Sequence, residues 1–208
     1  MAEHFYQDDY CTLFLGDCLD ITAWTEADVL VTDPPYGMAF VSGRSRVERP
    51  IIGDEDTGVR DTMLEVWGTK PALVFGRWDV PHPEAARTCL TWDKGDWPGM
   101  GDLALPWGLS TEEIYVLGTG FEGRRSGSVI HCNRIVGGTA HPTEKPVSLL
   151  RKLIDKCPPG VIADPFAGSG STLRAAKDMG RKAIGVEVDE VYAEIAAKRL
   201  CQEVLDFG

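Results

Sequence analysis

The chain of 208 residues is 43% hydrophobic and 25% charged, the balance of an ordinary globular protein able to bury a core without disulfide or metal staples. No apolar run approaches the roughly 20 residues that span a bilayer, and the opening Met1-Ala2-Glu3-His4 is polar where a secretion signal is basic and then apolar, so a cytoplasmic location is expected. The net charge of −11 argues against a phosphate-backbone partner on composition alone, because such surfaces carry basic patches.

Taken in chain order, Thr12 to Leu15 reads as a short apolar strand ending at Gly16-Asp17, and Asp28 to Thr32 as a buried strand ending at Asp33-Pro34-Pro35-Tyr36. Residues 37–56 lack periodicity and read as a loop. A helix is expected from about Arg60 to Trp67, a strand over Ala72 to Phe75, a short helix over Pro81 to Arg87, and strands over Cys89 to Trp92 and Glu113 to Leu117. Residues 93–111 and 118–142 are rich in Gly and Pro and read as irregular. A helical pattern starts at Thr143 and stops at Pro158-Pro159-Gly160. Val161 to Ala163 is a strand, Asp164 to Gly170 a glycine turn, Ser171 to Met179 a helix, Lys182 to Val186 a strand ending at Glu187, and Asp189 to Glu203 a final amphipathic helix. Alternating strands and helices without an internal repeat predict one α/β domain over 1–208 built on a parallel sheet.

The 6 cysteines are scattered, with no CxxC pair, and suit reduced, incidental thiols rather than a zinc site. Arginines gather in two stretches despite the acidic total: Arg44, Arg46 and Arg49, then Arg124, Arg125 and Arg134. A duplex could meet a locally basic face there, with weak affinity and strong salt dependence.

Two motifs carry chemistry. In Asp164-Pro165-Phe166-Ala167-Gly168-Ser169-Gly170-Ser171-Thr172, glycines let the backbone approach a ligand and the following helix offers free N–H groups. The next strand ends at Glu187, placed to accept hydrogen bonds from ribose hydroxyls. Leu173 stands where a dinucleotide fingerprint needs its third glycine, and no Walker lysine follows, so the ligand contains a nucleoside but need not contain a pyrophosphate. A tight turn without ligand is the bland alternative.

In Asp33-Pro34-Pro35-Tyr36 two prolines stiffen the backbone and remove two N–H donors. A carboxylate, a carbonyl and an aromatic ring are thereby presented at a sheet edge. Asp33 and the Pro34 carbonyl can accept the two hydrogens of an aromatic amine, directing its lone pair at an electrophile, and Tyr36 can stack on a base rotated out of the duplex. A strand-terminating turn with a surface tyrosine fits these residues equally well.

Together the motifs resemble the DNA amino-methyltransferases, in the permuted β group, where the catalytic tetrapeptide precedes the cofactor loop. His141-Pro142-Thr143-Glu144-Lys145-Pro146 is similar to the segment that precedes the cofactor loop in one subgroup, Gly16-Asp17 is placed like the turn approaching the cofactor adenine, and Trp92-Asp93-Lys94 looks like the strand end bordering the target-base pocket. The resemblance runs from about Leu13 to Leu200 and is weakest between Gly95 and Ala140. It implies a Rossmann-like, seven-stranded, mostly parallel sheet with one antiparallel strand and helices on both faces. It implies S-adenosyl-L-methionine as cofactor, DNA as partner, catalysis by Asp33, Pro34, Pro35 and Tyr36, and no metal. Cofactor contacts are implied for Asp17, Thr143, Lys145, Asp164, Phe166, Ala167, Gly168, Ser169, Gly170 and Glu187. Target reading falls to a small irregular segment at about 95–140, and the resemblance admits a homodimer and a cognate restriction nuclease without specifying either. Asp33 at the head of the tetrapeptide favours adenine N6 over cytosine N4. Methylation of RNA or a small molecule, or a non-catalytic DNA- or nucleotide-binding module, are the alternatives of other classes.

Overall fold

The computed structural model describes residues 3–35, 57–95, 104–135 and 144–202. Nine strands form one sheet: β1 (Tyr6–Gln7), β2 (Cys11–Leu15), β3 (Val29–Thr32), β4 (Ala72–Gly76), β5 (Ala86–Asp93), β6 (Thr111–Leu117), β7 (Val129–His131), β8 (Ile162–Asp164) and β9 (Ala183–Glu187). Their order is β1-β2-β9-β8-β3-β4-β6-β5-β7. Strands β2, β9, β8, β3 and β4 are mutually parallel. β6 runs antiparallel to both β4 and β5. Four helices, α1 (Gly58–Trp67), α2 (Val147–Ile154), α3 (Ser171–Asp178) and α4 (Glu190–Leu200), join a 3-10 turn at Thr22–Glu26.

Alternation along the buried strands divides the core into two layers. Leu13, Val29, Val31, Leu73, Phe75, Ile114 and Ile162 point to one face, where Leu149, Leu150 and Leu153 of α2, Leu173 of α3 and Leu200 of α4 cover them. Leu30, Val74, Tyr115, Ala163 and Val186 point to the other, against Met63 and Trp67 of α1 and Trp24 of the 3-10 turn. Trp24 and Trp67 stack at 5.8 Å, and the Trp24 indole donates to the Cys18 carbonyl at 2.8 Å, so the buried ring leaves no polar atom unpaired.

The mostly parallel α/β class is as expected, but the described residues alone form nine strands rather than seven. β1 is a short edge strand antiparallel to β2, returned by Asp8, whose Oδ1 accepts from the backbone N–H groups of Tyr10 and Cys11 at 2.8 and 2.7 Å. β7 lies inside the stretch read as irregular and pairs parallel with β5. The helix expected over Pro81 to Arg87 is absent: Ala86 opens β5. Pairing with β6 along the whole of β5 overrides the local helix preference of Glu84-Ala85-Ala86. α2 begins at Val147 rather than at Thr143, because Pro146 keeps Lys145 out of the helical region. The C-terminal helix ends at Leu200, short of the expected Glu203, which lies outside the described residues.

Candidate functional site

The carboxyl ends of β3, β8 and β9 are neighbours, so residues distant in sequence share one sheet edge. Asp33 follows β3, Asp164 ends β8 and Glu187 ends β9. The two motifs are bonded to each other: the Thr32 hydroxyl, beside Asp33, donates to Asp164 Oδ1 at 2.7 Å. Burial pushes the Asp164 carboxyl up to about 6, against the hydrogen bonds of Thr32, Thr172 and the Phe166 N–H, which favour its ionised form.

The glycine turn wraps around Glu187. The Gly168 N–H donates to Glu187 Oε2 at 2.7 Å, the Asp189 N–H donates to Oε1 at 2.9 Å, and the Ala167 N–H bonds the Val186 carbonyl at 2.9 Å. Burial holds the Glu187 carboxyl above the usual carboxylate range, against those backbone donors. Gly168 and Gly170 both have left-handed φ, +51° and +78°, a region that side chains rarely adopt. A Cβ on Gly170 would strike Ala196 of α4 at 2.9 Å, so that glycine also permits close helix packing. A Cβ on Gly168 would meet only the Phe166 carbonyl, at 4.0 Å, so the loop is open on that side. The Gly16 N–H bonds the Glu187 carbonyl at 2.9 Å, which brings the exposed Asp17 beside the same strand end. An open glycine backbone flanked by a buried carboxylate and a nearby exposed one suits the hydroxyls and ring nitrogens of a nucleoside.

Asp33 is held by a charge chain. The buried Lys145 donates to Asp33 Oδ2 at 2.5 Å and lies 3.1 Å from Glu112 Oε2. Lys94 donates to Glu112 Oε1 at 2.5 Å. Burial works to lower the Lys145 ammonium, but Asp33 and Glu112 outweigh it and hold it above the ordinary lysine range. Burial raises Glu112, and the two lysines more than reverse this, leaving it below the usual range. The neighbouring Glu144 accepts from Ser169 of the glycine turn at 3.3 Å and from Arg199 at 2.7 Å.

Asp17, Asp33, Pro34, Pro35, Lys145, Asp164, Phe166, Ala167, Gly168, Ser169, Gly170 and Glu187 thus gather at this edge. Tyr36, Thr143, His141, Trp97, Arg44, Arg46 and Arg49 lie outside the described residues. Arg124 and Arg125 are exposed but not at this edge. They follow β6, whose carboxyl end pairs with the start of β4, and the Arg124 carbonyl accepts from Lys156 at 2.8 Å, beyond the carboxyl end of α2. Trp92 is core, its indole donating to the Cys132 carbonyl at 2.7 Å. Sequence reasoning missed Glu112 and Trp78. Glu112 alternates with nothing distinctive, and its role exists only through Lys145 and Lys94. Trp78, two residues beyond β4 at the same edge, is 69% exposed, and an exposed indole there leaves no periodic trace.

An α/β sheet carrying a nucleoside-type glycine turn next to a Pro-Pro-stiffened carboxylate defines the class of a nucleoside-cofactor enzyme. A model of a DNA methylase family, for N6 and N4 methylation, matches residues 122–198. YubD of Escherichia coli (strain K12), described as a candidate methylase, is 32% identical over 206 residues, spanning 89% of this chain and 88% of that protein. The type II methyltransferase M.HinfI of Haemophilus influenzae is 47% identical over 66 residues, 31% of this chain but only 18% of that enzyme. Among solved structures, the M1.HpyAVI–SAM complex superposes with a TM-score of 0.68 at 20% identity, covering 92% of this chain and 100% of that one. The PvuII DNA methyltransferase, cytosine-N4-specific, gives 0.72 at 13% identity, covering 97% and 90%. The chain belongs to the N6-adenine/N4-cytosine DNA methylase family. Among the described residues no helix is long and apolar enough to cross a membrane.

Proposed function

We propose that the chain transfers a methyl group from S-adenosyl-L-methionine to the N6 amine of adenine in DNA, with the base rotated out of the duplex. The observation that carries this reading is the 2.7 Å bond from Thr32 to Asp164, which ties the strand end that bears Asp33 to the start of the glycine turn on the adjacent strand. The cofactor, when bound, supplies a methyl group activated on a sulfonium centre. Its nucleoside part is assigned to Asp17, Gly168, Gly170 and Glu187, with Phe166, Ala167 and Ser169 lining the turn.

The exocyclic amine is a poor nucleophile because its lone pair is delocalised into the ring. Asp33 and the Pro34 carbonyl accept its hydrogens and hold the lone pair toward the methyl group, so the protein acts through positioning and a preorganised acceptor. Pro34 is buried and Pro35 half-buried, which fixes the carbonyl without mobile side chains around it. Tyr36 is the proposed stacking partner of the base. Cys157, Cys18 and Cys11 are unsuited to act as nucleophiles, since all three are buried and burial pushes each thiol up to about 12. Target reading is assigned to residues 95–140, where Trp107 is 80% exposed just before β6. Together with Trp78 it offers aromatic surface at the sheet edge where Asp33 lies. Phosphate contacts are assigned to Arg44, Arg46 and Arg49 first, since Arg124 and Arg125 lie away from that edge.

Digesting DNA methylated by the protein to nucleosides and separating them by mass tests the product. N6-methyl-2′-deoxyadenosine as the main product is expected. N4-methyl-2′-deoxycytidine instead would sink the adenine assignment and spare the enzyme class, while methylation of RNA alone would move the substrate class.

Glu187→Ala is expected to weaken S-adenosyl-L-methionine binding by about 1.5–3 kcal/mol, the scale of a hydrogen bond to a charged group. The carboxylate also anchors the Gly168 N–H, so both ribose recognition and the loop's shape are lost together. Calorimetry reads this directly, and unchanged affinity would reduce Glu187 to a strand end.

A further inference from the structure

The dipeptide Glu144-Lys145 contacts both halves of the site with adjacent side chains. Glu144 holds Ser169 and Arg199, and Arg199 in turn donates to Ser171 at 2.6 Å, so this residue fixes the glycine turn and the start of α3. Lys145 points to the other half. Its Nζ meets Asp33 Oδ2 at 2.5 Å and Glu112 Oε2 at 3.1 Å, and stands 5.0 Å from the centre of the Phe75 ring. Glu112 is tied in turn to Lys94 at the end of β5. The chain Lys94–Glu112–Lys145–Asp33 has two charges of each sign and sums to zero, as a set of charges withdrawn from water requires. The backbone enforces the reach. Pro146 sits at the N-cap of α2 with extended ψ of 130°, and the residue before a proline is pushed out of the helical region. Lys145 therefore leaves the helix axis instead of joining the first turn.

We propose that Lys145, held by Glu112 and Lys94, is the positioning residue for the Asp33 carboxylate, orienting it toward the target amine, and does not serve the cofactor. This rests on the methyl-transfer reading given above. A lysine that already neutralises two carboxylates has little charge left for a third. A half-buried acceptor beside a second acid, Asp164, needs a fixed cation to hold it in a single orientation. The entrance to α2 supplies that cation, and Glu112 of β6, backed by Lys94 just after β5, holds it in place. Glu112 acts one step further back, by keeping the Lys145 ammonium from turning away.

The test compares Lys145→Met, Lys145→Arg and Glu112→Gln in the full chain. S-adenosylhomocysteine affinity is measured by calorimetry, and methyl transfer to DNA is followed in a single turnover at saturating S-adenosyl-L-methionine. Lys145→Met is expected to slow transfer at least ~10-fold, and Glu112→Gln ~3–10-fold, the scale of a misplaced catalytic group. Both should keep S-adenosylhomocysteine affinity within about threefold, a change worth well under 1 kcal/mol. Lys145→Arg should fall between Lys145→Met and the wild type, because the charge is kept while the fork geometry differs. A loss of affinity that accounts for the whole loss of rate would overturn the proposal by assigning Lys145 to the cofactor, and so would full activity of Lys145→Met. A wild-type protein silent on every DNA would instead strike the methyl-transfer reading. The pair is then judged by the double-mutant cycle of Asp33→Asn and Lys145→Met in chemical unfolding. Coupling of about tenfold or more in the unfolding constant, 1.4 kcal/mol, supports the pairing, and additive effects overturn it.

Discussion

Asp33→Ala is expected to slow methyl transfer at least ~100-fold while leaving S-adenosyl-L-methionine affinity close to that of the wild type, the scale set by loss of an oriented catalytic group. The separation follows from the sheet. Asp33 follows β3, whereas the Glu187 carboxylate ends β9, two strands away, and the Gly168 N–H that it binds lies in the turn after β8. The bond that joins the halves is made by Thr32, not by Asp33, so truncating Asp33 leaves the Asp164 contact in place. What the substitution does disturb is Lys145, left with Glu112 as its remaining carboxylate at 3.1 Å. Asp33→Asn keeps the shape and one acceptor oxygen while removing the charge, and it should also fall well below the wild type. Single-turnover rates with calorimetry of the cofactor distinguish the outcomes. Retention of more than about a tenth of the rate by Asp33→Ala would remove Asp33 from the chemistry, since oriented acid–base groups contribute roughly 100-fold or more.

Much of this arrangement is legible in the sequence because it rests on local signals. Buried β-branched and apolar runs followed by Asp33-Pro34-Pro35 or by Asp164 to Gly170 mark strand ends without reference to the rest of the chain. The final βαβ stretch, β8-α3-β9, falls within a residue or two of its expected place for the same reason. What sequence misses is set by partners. β7 has three residues, with Val129 and His131 exposed, and exists because Thr91, Trp92 and Asp93 offer it a parallel edge. The helix expected at Pro81 to Arg87 fails because β6 claims Ala86 onward, a long-range pairing that no local window contains. Lys145 is the sharpest case. Its position just before a helix suggests a first-turn residue, but Pro146 keeps it out of the helix and its ammonium meets Asp33 and Glu112, both distant in sequence. The arginine clusters illustrate the opposite limit: clustering in sequence is visible at Arg124 and Arg125, but only the antiparallel direction of β6 tells that they leave the sheet at the far edge from Asp33.

Replacing Asp164 by asparagine is expected to stabilise the protein at pH 8 and to do so about half as much at pH 5. The Asp164 carboxyl is fully buried and sits at about 6, above its ordinary 3.8. A carboxyl raised on folding binds its proton more tightly in the native state, so its contribution to stability is complete below the unfolded value and is lost as pH rises through the folded one. The window is therefore about pH 4 to 6, and ionisation across it costs at most about 3 kcal/mol, from roughly two units at 1.36 kcal/mol each. Asparagine cannot ionise, and it preserves the local bonding. The Thr32 hydroxyl and the Phe166 N–H both donate to Oδ1, at 2.7 and 3.2 Å, and an amide oxygen accepts both. The hydroxyl of Thr172, which also bonds this side chain, can accept from the amide nitrogen. Glu187, whose carboxyl is likewise raised by burial, titrates in both proteins and cancels when one is subtracted from the other. Chemical denaturation of the two proteins at pH 5 and pH 8 gives the difference directly. An asparagine variant that gains nothing between those two pH values would mean that the wild-type carboxylate ionises at this sheet edge without strain, and that Asp164 is solvated or paired as a charge rather than buried as an acid.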